Sequence, residues 1–423
     1  MSLQMIDNVN AWVGGVPASW SVVALKHVVS KLNRSLRPDD KVVVCTNKGS
    51  VIPRGDNSSG LVSLTENGYQ GVLCGDLLVH GMDTWHGAIA VADISGKCTS
   101  VVHVCDSAQD KRFIAYYLRA LAFRGVYKAF SNGVRQNTSD FRSWKKAGEI
   151  PIILPPLEEQ RRIANYLDAK CAEIDRAIKA AEDSIEEYKD YREALISRVI
   201  RTGLRGKEQL TECDCKIIRN IPVGWGLVRI NRIATLHNGD RGREYPSGID
   251  IVPDGVPFIT SAELGDNHIA RRCAKHITRR KYDCLKGVKL RKGDVVFCLR
   301  GSVGKCSLND FYDEGTIASS LTVARTRDCF PEWLCYALGS EPIVHQAIMT
   351  AIGATSANLA ANILGQARCP LPPFEEQREI VSFLDSKCSE VSSVISSKQS
   401  IIEDLKAYKQ SLIYETVTGK REV

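Results

Sequence analysis

A long internal repeat constrains this chain more than any other feature. The stretch Leu154-Pro-Pro-Leu-Glu-Glu-Gln-Arg returns as Leu371-Pro-Pro-Phe-Glu-Glu-Gln-Arg, at a constant offset of 217 residues. Thirteen of the twenty positions from Leu154 to Glu173 are identical to their counterparts. A repeat of this length sets the architecture before any single motif does. We therefore predict a pseudo-twofold chain in which both halves end in the same kind of element.

Each copy of the repeat has the pattern of one long helix. Apolar residues recur every seven positions in two series, as they do along the seam of a coiled coil. The acidic residues after the paired prolines suit a helix N-terminus, and Gly203 and Gly419 suit the two helix ends. Each helix is then about 45 residues and roughly 65 Å long. The predicted seam residues are Leu167, Ile174, Ile178, Ile185, Leu195, Leu384, Val391, Ile395, Ile402 and Leu412.

Basic residues interrupt this seam at Arg192, Lys398 and Lys409. Such interruptions lower stability but help to fix register and the choice of partner. A single helix of this kind cannot bury its seam alone, so we predict that the two copies pack against each other.

The blocks that precede the two helices also resemble each other. Trp20 and Trp225 each lie three residues after a proline, and Gly75-Asp76 and Gly293-Asp294 each lead into an apolar strand pattern. The sequence therefore predicts an α+β fold in which two globular α/β domains alternate with two long helices. The predicted segments are residues 1–152 (first domain), 153–206 (first helix), 207–370 (second domain) and 371–423 (second helix), with a polar linker at 204–221.

Charge is distributed unevenly along the chain. The net charge is +7, yet residues 157–201 and 374–416 together carry −5. The excess lies in the globular blocks, with +5 in residues 1–156 and +6 in residues 202–373. Two basic blocks joined by two acidic helices suit a polyanion that is contacted at two places. The densest basic run, residues 271–292, is the predicted phosphate-contacting face.

Cysteine usage and hydropathy bear on the compartment. The fifteen cysteines are an odd number without a CxxC pair, and the first twenty residues lack the pattern of a secretory signal. We therefore expect free thiols and a cytoplasmic location. No apolar run approaches the roughly 20 residues that a membrane span needs, so no membrane partner is expected.

The usual signatures of catalysis are missing. The sequence has no phosphate-binding Gly-x4-Gly-Lys loop, no Gly-x-Gly-x-x-Gly and no His-Glu-x-x-His. Leu371-Pro-Pro-Phe374 resembles the Asn/Asp-Pro-Pro-Phe/Tyr motif of adenine methyltransferases, but leucine cannot hydrogen-bond a target amino group, and the prolines suit a helix start. Cys213-x-Cys215 is too weak a pattern for a metal site. No catalytic residue, metal or cofactor is therefore expected in this chain.

Small polar loops are the best candidates for contacting bases. Arg, Asn, Gln, Ser and Thr carry the donors and acceptors that distinguish base edges. The candidates of the first block are His80, Asp83, Thr84, Trp85, His86, Arg135, Gln136 and Asn137. The candidates of the second block are Arg241, Arg243, Tyr245, Thr260, Ser261, Arg300, Ser302, Lys305, Thr355, Ser356 and Asn358.

The twice-used helix opening, Pro-Pro-Leu/Phe-Glu-Glu-Gln-Arg-x-Ile-(x)3-Leu-Asp, with a variable block ahead of each copy, resembles the specificity subunit of type I restriction-modification systems. The resemblance spans essentially all 423 residues. It implies that residues 1–152 and 207–370 are target-recognition domains, each binding half of a split, asymmetric site in double-stranded DNA. It also implies that the two helices form an antiparallel coiled coil that sets the spacing of the half-sites.

The same resemblance implies partner subunits. Two methyltransferase (modification) subunits and the restriction/translocase subunits are expected to carry the catalysis, with S-adenosylmethionine, ATP and Mg bound in them. The second helix is richer in serine and has fewer charges than the first, so the two methyltransferase docking surfaces are expected to differ in strength.

Three alternatives stay open at the level of sequence. A type IIB-like recognition subunit shares this plan and differs in its partner. A coiled-coil scaffold with protein-binding domains predicts no salt-dependent affinity for DNA. A single-chain methyltransferase or nuclease is the third. If the helices act as a ruler, an inserted heptad lengthens the nonspecific gap between half-sites.

Overall fold

Two very long helices stand out among many short elements. The computed structural model describes residues 12–55, 68–127, 141–204, 210–242, 244–351 and 359–423. Helices within these residues are α1 (Lys111–Phe123), α2 (Trp144–Ala147), α3 (Leu157–Thr202), α4 (Ile230–Ile233), α5 (Arg279–Cys284), α6 (Pro331–Gly339), α7 (Glu341–Ala351), α8 (Ala361–Gln366) and α9 (Phe374–Val417).

The long helices α3 and α9 have 46 and 44 residues, close to the predicted length. Both begin directly after the paired prolines, and both carry two glutamates in the first turn. Gly203, with φ 66°, follows α3, and Gly419, with φ 73°, lies two residues after α9. A left-handed residue ends a helix at little cost when it is glycine. The local signals for the start and stop of both helices are therefore confirmed.

The chain divides into two units. Unit 1 comprises Met1–Glu182 and Gln399–Val423, and unit 2 comprises Asp183–Lys398. Each unit thus contains part of α3 and part of α9. The predicted division into four segments at residues 152, 206 and 370 differs from this one and stays a prediction.

Within each unit the two helix parts run in opposite directions. In unit 1 Asp175 binds Lys409 at 2.6 Å, and Tyr166, earlier in α3, interacts electrostatically with Arg421, beyond the end of α9. In unit 2 the Lys398 ammonium lies 5.8 Å from the centre of the Tyr188 ring, and Tyr191, later in α3, acts electrostatically on Lys387, earlier in α9. The basic residues that interrupt the seam thus find polar or aromatic partners. Of the ten predicted seam residues, Ile395 is half-buried and the other nine are buried, namely Leu167, Ile174, Ile178, Ile185, Leu195, Leu384, Val391, Ile402 and Leu412.

Unit 1 contains a four-stranded antiparallel sheet with the order β2-β9-β6-β7. Helix α1 packs on it and buries Phe113, Ile114, Tyr117 and Leu118. The strand pairs β1-β10, β3-β4 and β5-β8 complete the unit. Its strands are β1 (Ser21–Ala24), β2 (Ser30–Lys31), β3 (Val43–Cys45), β4 (Val51–Pro53), β5 (Gln70–Val72), β6 (Leu77–His80), β7 (Ile89–Val91), β8 (Gly96–Cys98), β9 (Val102–Asp106) and β10 (Pro151–Leu154).

Unit 2 contains a five-stranded sheet, β14-β22-β19-β20-β17, and a four-stranded sheet, β15-β18-β16-β21. Its strands are β11 (Leu210–Glu212), β12 (Asn220–Pro222), β13 (Gly226–Arg229), β14 (Ala234–Asn238), β15 (Ile251–Val252), β16 (Val256–Ile259), β17 (Asn267–His268), β18 (His276–Ile277), β19 (Val295–Cys298), β20 (Cys306–Leu308), β21 (Thr316–Ile317), β22 (Leu321–Thr326) and β23 (Arg368–Leu371). The predicted linker at 204–221 instead contributes strand β11 and most of β12, which pair with each other.

The two units share one strand plan. The order β2-β9-β6-β7 in unit 1 corresponds to β14-β22-β19-β20 in unit 2. In each unit a buried aspartate precedes the central strand and binds an arginine: Asp76 pairs with Arg34, and Asp294 pairs with Arg325 at 2.7 Å. The Gly-Asp similarity of the sequence therefore marks equivalent positions in the two folds.

The repeated residues of the long helices tie each helix start to its unit. Gln160 donates to the carbonyl oxygen of Pro155 at 2.7 Å and accepts from the backbone N–H of Asp110, the N-cap of α1, at 3.1 Å. Gln377 makes the same two bonds, to Pro372 and from Phe330, the N-cap of α6, both at 2.9 Å.

Two further pairs repeat this arrangement. They are Trp20 with Glu159 and Trp225 with Glu376, then Tyr116 with Asp168 and Tyr336 with Asp385. The repeated residues thus make the same contacts between helix and domain in both halves of the chain.

Candidate nucleic-acid interface

Several loops of unit 2 leave from one edge of its sheets. The register pairs Asn238 with Thr322 and Cys298 with Leu321, so β14 and β19 end where β22 begins. Strand β16 runs parallel to β21 and ends beside it, and the N–H of Ala318 donates to the carbonyl oxygen of Ile259 at 2.8 Å. The segments after residues 238, 259 and 298 therefore converge on residues 318–320.

Gly239 allows the first of these segments to pass close to the last. A Cβ atom at this position would lie 2.6 Å from the carbonyl oxygens of Ile317 and Ala318. No side chain fits at that distance, so glycine is required for the close approach. Arg241 follows, and its Nε donates to the carbonyl oxygen of Ser319 at 3.2 Å.

The hairpin loop between β19 and β20 holds three predicted residues. The N–H of Leu299 donates to the carbonyl oxygen of Ser320 at 2.9 Å, which fixes the neighbouring Arg300 beside the same serines. Ser302 is exposed. The ammonium of Lys305 donates to the carbonyl oxygen of Ser261 at 3.1 Å, so this loop also contacts the segment after β16.

Buried Glu263 organises the Thr260-Ser261 turn. Its carboxylate accepts from the N–H and the hydroxyl of Thr260 at 2.8 and 2.7 Å. Tyr245 is partly exposed, and its ring packs edge to face on the Phe258 ring, with 5.8 Å between the ring centres. Six of the predicted residues of the second block thus belong to the converging loops or flank them, namely Arg241, Thr260, Ser261, Arg300, Ser302 and Lys305. Arg243, Thr355, Ser356 and Asn358 lie outside the described residues.

Three of the ten Lys and Arg residues in the dense basic run of unit 2 form ion pairs with acids from distant parts of the sequence. Arg279 forms a two-bond ion pair with Glu314, at 2.9 and 2.5 Å. Lys281 binds Glu244 at 3.0 Å, and Lys292 lies 3.2 Å from Asp313. Charges that already have a partner offer less to an external phosphate. Arg279, Lys281 and Lys292 are therefore weaker candidates for phosphate contacts than the rest of the run.

The equivalent hairpin loop of unit 1 lies between β6 and β7. Its residues His80, Asp83, Trp85 and His86 form a 3-10 turn and the segment ahead of it. The Nδ1 atom of His80 accepts from the N–H of Asp83 at 3.0 Å. Burial lowers the pKa of His80, and the nearby carboxylate of Asp83 opposes that shift. The indole N–H of Trp85 is buried without a hydrogen-bond partner in the part of the chain that the structure describes.

Thr84 differs from its neighbours in the loop because it is fully buried. It is 0% exposed, and its hydroxyl donates to the carbonyl oxygen of His80 at 2.5 Å. The hydroxyl therefore holds the turn together, and in this structure Thr84 has no surface to offer to a ligand. His86 is exposed. Arg135, Gln136 and Asn137 lie outside the described residues.

Sequence reasoning missed the residues that hold these loops in place. Ser319 and Ser320 supply the carbonyl oxygens on which the two arginine-bearing loops meet. Asp240 accepts from the N–H groups of Gly242 and Lys286 at 2.7 and 2.8 Å, and these bonds lower its pKa. The short run Ala318-Ser-Ser320 between two strand patterns was the available signal.

A cavity of about 1080 Å³ in unit 2 lies beside α6, α7 and the parts of the long helices that belong to this unit. Arg192 and Asp266 line it and form an ion pair with each other. Its walls carry charges of both signs, including Lys305 and Glu341, so the lining favours no single cofactor chemistry.

Among the described residues, no three His, Cys, Asp or Glu side chains are grouped as metal ligands would be. All fifteen cysteines are free thiols. Within the same residues, every helix is too short or too polar to cross a membrane.

Comparison with known proteins gives consistent results. The family model described as type I restriction modification DNA specificity domain matches residues 222–399. The specificity subunit of the type I restriction enzyme EcoKI of Escherichia coli (strain K12) is 25% identical over 283 residues, covering 64% of this chain and 56% of that protein. The EcoBI specificity subunit of Escherichia coli is 23% identical over 302 residues, covering 69% and 62%. The chain therefore spans less than two thirds of the length of these two relatives.

A solved structure supports the fold. It is described as the structural basis of complex assembly and conformational transition of the type I R-M system. One of its chains is 19% identical, with a TM-score of 0.70, and the match covers 96% of this chain and 100% of that chain. At this level of identity the likeness concerns the fold alone.

These matches define the class of protein first. Residues 222–399 match the model of a type I restriction-modification DNA specificity domain. The chain is similar to type I restriction-modification specificity subunits, which confirms the resemblance read from the repeated helix opening.

Proposed function

We propose that this chain is the DNA sequence-specificity subunit of a type I restriction-modification complex and that it binds a bipartite, asymmetric site. One observation carries the proposal: each unit presents a polar hairpin loop at the same end of the same strand plan, after β6 in unit 1 and after β19 in unit 2. Loops placed by a rigid sheet are the usual position of binding residues.

The two loops differ in chemistry, and this difference supports an asymmetric site. The loop of unit 1 offers His80, Asp83 and His86, whereas that of unit 2 offers Arg300, Ser302 and Lys305. Side chains with different donors and acceptors read different base edges. Each unit is accordingly assigned one half-site.

The antiparallel helix pair is proposed as the ruler between the half-sites. Its support is the burial of the seam and the opposed direction of α3 and α9 within each unit. Long paired helices resist bending, so their length is a suitable measure of a fixed gap.

The proposed partners are two modification subunits, and a repeated surface supports the number. Tyr191 and Tyr408 occupy equivalent positions of the repeat and are 53% and 50% exposed. Tyr408 interacts with Lys170, which is ion-paired to Glu173, and Tyr191 interacts with the equivalent Lys387, which is ion-paired to Glu390. Each unit therefore offers the same exposed tyrosine beside the same Lys-Glu pair. Exposed aromatic residues are frequent anchors of protein interfaces.

Catalysis is assigned to the partners in this proposal. The modification and restriction subunits would bind S-adenosylmethionine, ATP and Mg, and this chain would position them on DNA in the cytoplasm. Its free thiols suit a reducing compartment.

Methylation-motif mapping tests the function. The chain is expressed with its neighbouring methyltransferase gene, and the methylated motif is read by long-read sequencing of the host DNA. We expect a split motif with a fixed gap. Exchange of residues 1–152 for those of another family member should change one half of the motif and leave the other half and the gap as they were.

The same experiment can also refute the proposed function. If an active methyltransferase marks the same sites with and without this chain, the specificity function is refuted and a protein-binding scaffold takes its place. A single contiguous motif would refute the assignment of one half-site to each unit.

A further inference from the structure

Two arginines of unit 2 lie beside one short segment, residues 318–320. The side chain of Arg241 is held by the carbonyl oxygen of Ser319, at 3.2 Å. Arg300 follows Leu299, whose N–H is bonded to the carbonyl oxygen of Ser320 at 2.9 Å. Two loops that are about sixty residues apart in the sequence thus bring their guanidinium groups to the same edge of the sheet.

Neither guanidinium has a carboxylate partner in the described part of the chain. Asp240, the nearest acid in sequence to Arg241, is occupied by the N–H groups of Gly242 and Lys286. The Nε atom of Arg300 is buried and has no hydrogen-bond partner within the same residues. A buried donor without a partner is uncommon in folded proteins and calls for an explanation.

Some other cations of the unit do have acidic partners. Arg279, Lys281, Lys292 and Arg325 all form ion pairs. The fold therefore supplies acids to several of its basic residues, and within the described part of the chain it supplies none to Arg241 and Arg300.

The two charges also act on each other. The pKa of Arg241 is lowered, first by partial burial and then by the positive charge of Arg300. Two like charges held together cost free energy, and an anion between them recovers it.

We propose that Arg241 and Arg300 jointly bind one backbone phosphate of duplex DNA. The inference rests on the proposed function and specifies one contact within it. A guanine edge is a poorer match, because one arginine already satisfies its two acceptors and an uncharged base does not offset the repulsion of two. A phosphate presents several charged oxygens that two guanidinium groups bind together. The pair therefore positions the protein on DNA and does not read sequence.

Binding measurements with two duplexes test this assignment. The full chain is prepared with its modification subunits, as wild type and as the variants Arg241→Gln, Arg300→Gln and the double variant. Affinity is measured by fluorescence anisotropy on a duplex of about 30 base pairs that carries the methylation motif and on one with the motif scrambled, from about 50 to about 200 mM KCl. Arg279→Gln is the matched control, because that arginine is already neutralised by Glu314.

A phosphate contact predicts the same loss on both duplexes. We expect the double variant to lose roughly ten-fold in affinity on each, with the slope of log K against log salt shallower by about 1. Arg279→Gln should change affinity less than about two-fold. The double replacement by lysine should restore most of the salt slope, because lysine keeps the charge.

Other outcomes overturn the inference. A loss confined to the motif duplex would show that the pair reads a base, and unchanged binding by the double variant would remove both arginines from the interface. A wild-type complex that shows no salt-dependent affinity for either duplex would refute the proposed function itself. Thermal unfolding of each variant, matched to wild type, excludes misfolding as the cause of a loss.

Discussion

Replacement of Gln377 by leucine tests the role of the repeat in holding each helix to its unit. Gln377 is 1% exposed, and its amide bonds the N–H of Phe330 and the carbonyl oxygen of Pro372. Leucine has a similar size but satisfies neither partner. Each buried group that loses its hydrogen bond costs about 1 to 3 kcal/mol. Because Phe330 is only half-buried, we expect unit 2 to lose about 2 to 4 kcal/mol of its free energy of unfolding.

Hydrogen exchange measures this loss separately in each unit. A destabilisation of about 2 to 4 kcal/mol accelerates exchange through unfolding roughly 30- to 1000-fold. In Gln377→Leu the amides of α6 should accelerate and those of α1 should not. In Gln160→Leu the pattern should be reversed, since Gln160 makes the equivalent bonds to α1. Gln399→Leu, at an exposed position of the same helix, is the control.

Some results would contradict the proposed role of Gln377. An acceleration below about three-fold in α6, or an equal acceleration in both units, would show that these two hydrogen bonds do not hold the helix start. Equal behaviour of Gln377→Leu and the exposed control would lead to the same conclusion.

Three further predictions follow from the described contacts. Insertion of one heptad into both long helices lengthens each by about 10 Å, which corresponds to roughly 3 base pairs. Motif mapping should then show a gap between the half-sites that is longer by that amount. An active variant with an unchanged gap would refute the role of the helices as a ruler. Tyr191→Ala and Tyr408→Ala should each weaken binding of modification subunits about ten-fold in titration calorimetry, whereas Ser393→Ala should not; equal affinities would remove the tyrosines from the interface. His103 is 0% exposed, and this burial lowers its pKa. As pH falls, the unfolded chain therefore takes up a proton at His103 before the folded chain does. Unit 1 should consequently lose stability below about pH 6.5. Urea unfolding between pH 5 and pH 8 measures this, and His103→Gln should flatten the dependence.

The features that the sequence predicted well are local ones. The starts of α3 and α9 depend on prolines and glutamates that are adjacent in the chain, and Gly203 marks the end of α3 in the same way. The seam was predictable because burial on a helix follows a fixed spacing. Each of these signals lies within a few turns of the residue that it describes.

The features that the sequence could not predict depend on distant pairing. Three cations of the basic run looked free because the acids that pair with them lie elsewhere in the sequence, as Glu314 does for Arg279, 35 residues away. The meeting of Arg241 and Arg300 depends on the order β14-β22-β19, which no local pattern specifies. Thr84 was indistinguishable from its exposed neighbours, because one turn of the chain decides which hydroxyl faces inward.

The division of the chain into units has a consequence for its synthesis. Unit 1 needs Gln399–Val423, whereas unit 2 is continuous from Asp183 to Lys398. At about 5 to 20 residues per second, a ribosome takes roughly 10 to 40 s to make the 216 residues between the two parts of unit 1. Throughout that time the apolar seam of Leu157–Glu182 is without its partner helix. Unit 1 is therefore begun before unit 2 and completed after it, and a nonsense mutation at the codon of Gln399 damages the unit that was begun first.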